Sequence, residues 1–325
     1  MNDFKTSRKQ NNHPGRTVLL LALLLAGVAA ASALAGRYPL GMDGIQTVIL
    51  NIRLPRIAMA CLAGCALSAA GAAYQGVFQN PMAAPDILGA TQGAAFGAAL
   101  AILLGHTGPS VTLFSFVSSL TAVALVWYIG RKTTGKRVLG LILTGIMVGS
   151  LFAAGTSFLK LVADPTDQLP AITYWLMGSL VGVVKSDVFA AAIPICLGLL
   201  PLLIFRWHIT VMTLGDEAAH ALGVDADRMR KWIVLSSTLV TAAAVSATGM
   251  IGWVGLVVPH LARRLIGNDY RTLMPGSMLL GALFLLLVDD IARSVLSREI
   301  PIGILTAFIG APFFLYLITR GGEKY

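Results

Sequence analysis

Apolar stretches of about 20 residues recur from residue 17 to residue 319, with no long polar domain between them. A helix needs roughly 20 apolar residues to cross a hydrocarbon layer about 30 Å thick. In lipid every backbone N–H and C=O must find a partner inside the protein, which restricts a chain of this kind to helices. Composition points the same way. Of the 325 residues 56% are hydrophobic and 12% charged, against about 25% charged in soluble domains. The expected fold class is an all-α polytopic membrane protein.

Spans are expected near residues 17–35, 57–78, 86–105, 111–130, 138–162, 187–205, 232–249, 252–266, 273–296 and 303–319, the eighth short and Gly-rich. The first, TVLLLALLLAGVAAASALA, has a small-residue Ala31-Ser32-Ala33 that resembles a cleavage site. At 19 residues it exceeds a signal h-region and reads as an uncleaved helix. Ten spans put both termini on one side. Lys5, Arg8, Lys9, Arg16, Arg131, Lys132, Lys136, Arg137, Arg206, Arg228, Arg230, Lys231, Arg263, Arg264, Arg271, Arg320 and Lys324 would then share a side. Arg37, Arg53, Arg56, Lys160, Lys185, Arg293 and Arg298 fall on the other. The bias sets both termini inside. This gives an inner tail 1–16, one transmembrane domain 17–319 and an inner tail 320–325. Net charge is +9, but the basic tracts lie between apolar spans and form no basic face interleaved with aromatics, which excludes nucleic acid.

One of these tracts, GRKTTGKR at 130–137, is one residue short of a phosphate loop, with Arg137 where the Mg²⁺-binding hydroxyl belongs. A phosphate loop also needs a strand before it, and here an apolar span precedes it. The tract is a positive inner loop and holds no nucleotide. Cys61 and Cys65 lie one helical turn apart, Cys196 lies in another span, and all three read as buried packing residues. A weak inverted repeat is also expected. A66-L-S-A-A-G71 with Pro81 aligns with A244-V-S-A-T-G249 and Pro259 at a single offset, in spans of opposite direction.

Two stretches break the helical pattern. Arg53-Leu-Pro-Arg56 opens the second span with a proline start signal, and its arginines read either as headgroup anchors or as a docking patch. The stretch Q75-G-V-F-Q-N-P-M-A-A-P-D-I-L-G89 frees backbone groups at the inner boundary, as does Gly252/Gly255/Pro259. It reads as an inter-helix turn or as the lining of a pathway through Gln75, Asn80, Pro81, Met82, Gly252 and Pro259.

These stretches, together with LGDEAAHALGV (214–224), GWVGLVVPHLAR (252–263) and EIPIGILTAFIGAPFF (299–314), resemble the permease subunits of ABC importers for iron–siderophore complexes, haem and vitamin B12. The resemblance implies a location in a bacterial cytoplasmic membrane and a second permease copy, identical or different. It also implies two separate ATPase subunits that carry ATP and Mg²⁺, and a substrate-binding protein outside. By that resemblance this chain holds no cofactor, metal or catalytic residue, and Arg53, Arg56 and Arg293 meet the binding protein. Arg293 has a competing partner in Asp289 or Asp290 on its own helix.

The segment 206–231 is the longest polar run between spans. Asp216 and Glu217 beside Leu214-Gly215 open a short helix, Gly223 closes it as a C′ residue, and Ala218, Ala221 and Leu222 give it an apolar face. The helix rests on its own protein or, by resemblance, seats in the ATPase as a coupling element. An ion-coupled transporter is disfavoured because Asp164, Asp167, Asp289 and Asp290 fall near outer ends, away from the midplane. An intramembrane enzyme is disfavoured because His13, His106, His208, His220 and His260 fall in or near loops and form no H-x-x-x-H pair. Among cargoes, N80-P-M-A-A-P-D-I-L-G89 looks closer to ferric siderophore or dicitrate permeases than to those for vitamin B12, with haem as a further alternative.

One outcome follows from the failed phosphate loop: the isolated chain has no specific ATP affinity. Nucleotide binding that disappears on Lys136→Ala would contradict it.

Overall fold

The helix at the centre of the molecule is rich in alanine and glycine. The computed structural model describes residues 14–35, 44–132, 137–296 and 298–320. Its helices are α1 (Pro14–Leu34), α2 (Ile45–Val48), α3 (Leu54–Val77), α4 (Ala90–Leu103), α5 (Pro109–Gly130), α6 (Arg137–Val162), α7 (Gln168–Leu176) and α8 (Lys185–Ile204). They continue with α9 (Arg206–Met212), α10 (Asp216–Ala221), α11 (Ala226–Thr248), α12 (Val254–Ile266), α13 (Tyr270–Ser294) and α14 (Ile302–Arg320). A π-helical turn at Ile49–Arg53 joins α2 to α3. No strand occurs among the described residues.

Lipid gives helices no hydrophobic reason to associate, so they associate through close backbone approach and interhelical hydrogen bonds. Both operate on α3. A Cβ on Gly64 would lie 2.2 Å from the Gly281 carbonyl oxygen of α13. One on Gly71 would lie 1.8 Å from that of Gly255 on α12. Ser68 donates to the Ser277 carbonyl at 2.6 Å, and the Tyr74 and Thr238 hydroxyls meet at 3.0 Å, tying α3 to α13 and α11. Arg56 contacts Asp289 while Tyr270 contacts Ala72, so α3 and α13 run antiparallel. The peripheral α1 lies against α13 and leaves Leu19, Leu20, Leu23 and Leu24 exposed.

Every expected span coincides with a helix, though not each at full length. Seven helices are long and apolar enough to cross a membrane, counted over the described residues. The 14-residue α4 and the 13-residue α12 are shorter, whereas α14 runs for 19 residues. A 3-10 turn, Pro85–Leu88, precedes α4, and the non-helical residues 249–253 precede α12. Within α14, Gly303 lies so close to Met177 that a Cβ would meet its carbonyl oxygen at 2.3 Å.

Four expectations need correction. The repeat fails at its own offset, because Gly71 lies within α3 whereas Gly249, at φ 72°, ends α11. Likewise Pro81 lies in a turn and Pro259 inside α12, so the matched residues do not hold equivalent places in their helices. Cys196 is exposed and Cys61 and Cys65 are half-buried, so the cysteines are not all enclosed. His260 sits within α12. No span covered α7, whose entry is built by Asp164. That carboxylate accepts the Thr166 and Asp167 N–H groups at 2.8 and 3.1 Å and the Thr166 hydroxyl at 2.6 Å. These bonds hold the carboxyl of Asp164 below the usual carboxylate range. Thr133–Lys136 of the phosphate-loop-like tract, residues 1–13 of the inner tail, Arg37 and 321–325 lie outside the described residues.

Gly71→Val is therefore expected to lower thermal stability in detergent by at least about 1–3 kcal/mol. Gly27→Val on α1, with nothing within 4 Å of its added Cβ, is expected to be neutral. Equal melting temperatures for the two would contradict the packing account.

Candidate functional site

Two clusters of charge and irregular backbone lie at opposite ends of α3. At its N-terminal end stand the three arginines. Arg53 is 5% exposed and donates to the Ala33 and Leu34 carbonyls at 2.9 and 3.0 Å, closing the C-terminus of α1. Arg56 clasps Asp289 through Nε and Nη2 at 2.9 and 2.8 Å, and its Nη1 donates to Glu299 at 2.7 Å. Arg293 donates to Asp290 at 2.6 Å, to the Ser32 hydroxyl and carbonyl at 2.8 Å each, and to the Ala35 carbonyl at 3.2 Å. Of its two expected acidic partners Arg293 therefore takes Asp290, because Asp289 is held by Arg56.

The structure brings these three arginines together, and their charges are met within the chain. Asp289 is 1% exposed, whereas Glu299 is 31% exposed. Sequence reasoning missed Glu299 and Ser32. The signal for Glu299 was its place at the head of EIPIGILTAFIGAPFF, beside the end of α13. Arg298 is exposed next to it.

At the other end, α9 and α10 form a short polar segment. Ile209 and Met212 of α9 are fully buried. The six residues of α10 are bounded by Gly215 at φ 103° and Gly223 at φ 78°. Gly223 N–H bonds the His220 carbonyl at 2.9 Å and Val224 N–H bonds that of Ala219 at 2.8 Å, the paired bonds of a Schellman closure. The expectation for Gly223 holds.

Arg230 of α11 is 3% exposed and forks to Asp216 at 2.7 Å and Asp227 at 3.0 Å, which pins the start of α10. Asp225 accepts the Arg228 N–H at 3.0 Å as the N-cap of α11, and this bond lowers its carboxyl from the ordinary value. Against its own protein α10 buries Ala219 completely, not the Ala218/Ala221/Leu222 face. Leu214 and Leu222 are 65% and 55% exposed, Glu217 and Ala221 are exposed, and Ala218 is half-buried. An apolar rim around a rigidly closed helix is a shape suited to a partner cleft.

The six residues read as a pathway divide. Pro81, Met82 and Gly252 are exposed and Asn80 is half-buried, its Oδ1 accepting the Met82 N–H at 2.9 Å. Pro259 is enclosed. Gln75 is 3% exposed; it accepts from Arg263 and donates to the Leu256 carbonyl at 3.3 Å, so it braces α3 against α12. The stretch after Asn80 is packed on α6, where a Cβ on Gly145 would lie 2.2 Å from the Ile87 carbonyl oxygen. A cavity of 770 Å³ opens elsewhere, between the ends of α5, α7, α8 and α11, lined by Phe116, Tyr174, Trp175, Asp187 and Thr248 among others. None of the six lines it.

Residues 17–320 match the FecCD transport family. The molybdate import system permease protein MolB of Haemophilus influenzae is 38% identical over 322 residues, spanning 93% of this chain and 96% of that protein. The Fe(3+)-citrate import system permease protein YfmE of Bacillus subtilis is 37% identical over 334 residues, spanning 98% and 99%. A solved structure described as a metal-chelate type ABC transporter in an inward-facing conformation superposes with a TM-score of 0.89 at 38% identity, covering 94% of this chain and 99% of that one. The chain is an integral membrane protein that belongs to the FecCD transport family, the permeases of ABC importers.

Proposed function

We propose that the chain is the permease of a binding-protein-dependent importer that carries a ferric chelate across the cytoplasmic membrane of a bacterium. In this reading the helices make ten crossings with both termini inside, and a second copy completes the pathway. Two ATPase subunits bind beneath the segment 206–231, and a substrate-binding protein docks outside. The observation that carries it is the α10 segment, clamped by Arg230 and closed by Gly223, with Leu214 and Leu222 left exposed around it. Two exposed leucines beside a six-residue helix are poorly matched to water and well matched to a shallow apolar cleft. The relatives are themselves permease subunits, so ATP hydrolysis is assigned to a separate chain.

A second copy is supported by the apolar face that α6 leaves uncovered, including Met147, Leu151, Phe158 and Leu161. The exposed pathway residues Pro81, Met82 and Gly252 remain assigned to the route between copies, with Asn80 at its edge; the enclosed Gln75 and Pro259 do not. For cargo, the resemblance of residues 80–89 to ferric permeases agrees with the relative named for Fe(3+)-citrate. The relative named for molybdate favours a second reading, an oxyanion importer. Uptake into vesicles loaded with ATP, using the cognate binding protein and either ferric chelates or molybdate, separates the two. Haem and vitamin B12 serve as further arms.

Disrupting α10 tests the ATPase assignment. Ala218→Arg and Gly215→Pro should leave the protein inserted and abolish ATPase capture in a pull-down. Undiminished capture with both would overturn it.

Docking on the arginines is a matter of exchange. An incoming carboxylate reaches Arg56 where Glu299 now sits, while Asp289 keeps its bidentate hold. Lysine retains the charge and loses the fork, so Arg56→Lys should weaken binding-protein affinity about tenfold at low salt, about 1.4 kcal/mol, and less at high salt. Affinity unchanged at low salt would leave Arg56 as a structural brace only.

A further inference from the structure

If α10 seats on an ATPase, its movement must reach the membrane helices through definite contacts, and those contacts converge on Tyr270. The side chain of Tyr270 is 2% exposed, at the first position of α13. Its hydroxyl donates to the Ala72 carbonyl of α3 at 2.8 Å and accepts from Arg263 of α12 at 3.0 Å. Arg263 donates in turn to Gln75 of α3. One phenol thus joins the ends of three membrane helices.

The same residue is joined to the coupling segment. Its backbone N–H donates to the Thr210 hydroxyl of α9 at 3.0 Å, and that hydroxyl meets Asp269, the N-cap of α13, at 3.2 Å. A second link runs from Gln79, just beyond α3, whose Nε2 donates to the Met212 carbonyl at 3.0 Å. Gln79 holds a φ of 49° to make this bond, a backbone region that non-glycine residues occupy only with support from their surroundings. Gly76 allows the whole arrangement. A Cβ there would lie 2.6 Å from Ile209 Cγ2 and 2.7 Å from the Tyr270 hydroxyl.

We propose that Tyr270 is a positioning residue that transmits displacement of the coupling segment α9–α10 to α3, α12 and α13 as one body, with Thr210 as its link to α9. Apolar packing of Ile209 and Met212 alone would let α9 slide over α3, because dispersion contacts have little direction. Hydrogen bonds at Thr210 and Gln79 fix it along two separate lines, because a hydrogen bond, unlike a dispersion contact, has a preferred direction. The proposal rests on the reading of α10 as the ATPase contact.

The test uses the complete transporter, reconstituted with its ATPase and binding protein, and reads cargo moved per ATP hydrolysed. Tyr270→Phe keeps the ring and removes the hydroxyl. Losing a buried hydrogen bond of this class is expected to cut that ratio about fivefold, with ATPase capture retained. Thr210→Val should act in the same direction, and Thr210→Ser, which keeps the hydroxyl, should restore the ratio. A purely structural role would lower yield and melting temperature without moving the ratio. If Tyr270→Phe does not accumulate, the Thr210 pair decides alone. A wild-type ratio in Tyr270→Phe, or in Thr210→Val where only that variant accumulates, overturns the proposal and leaves the coupling reading standing. Capture that survives Ala218→Arg and Gly215→Pro overturns the coupling reading itself.

Discussion

The fold depends on the contact of backbone with backbone between α3 and its neighbours. Gly64 against Gly281 and Gly71 against Gly255 bring the helices closer than any side chain would allow. At that distance, dispersion and interhelical hydrogen bonds such as Ser68 to the Ser277 carbonyl replace the hydrophobic effect that lipid removes. Because α3 is held along its length by α13, its two ends become fixed points. One end carries the arginine cluster and the other carries the knot of Gln75, Arg263 and Tyr270.

That rigidity gives the two clusters different physical characters. The arginine end is a neutralised network in which each guanidinium has partners within the chain, and only Glu299 among the partners of Arg56 is substantially exposed. Any docking there works by exchanging one carboxylate for another, so its net energy is small and its salt dependence large. The α10 end presents apolar surface on a helix whose termini are already closed. A helix closed in this way has little conformational entropy left to lose if a partner seats on it.

The sequence made the apolar spans and the Gly223 closure legible, because hydropathy and left-handed C′ geometry are local properties. It did not reveal α7, whose nine residues are too few to span and whose start depends on the Asp164 turn. It did not reveal that Gln75 is a brace, since polarity next to a broken helix reads equally as a pathway lining. The residues matched in the expected repeat do not hold equivalent places, since Gly71 lies within α3 and Gly249 ends α11, and helix ends are not legible from a shared residue pattern. Glu299 was hidden because its partner, Arg56, lies more than two hundred residues away in the chain.

The central claim is that Leu214 to Val224 form a preformed seat for a separate ATPase. Hydrogen–deuterium exchange of the reconstituted permease, with and without its ATPase, tests this most directly. The account predicts new protection concentrated in that segment when the ATPase is added, with the arginine end of the molecule unchanged. A stable complex in which Leu214 to Val224 exchange as they do in the free permease would contradict it.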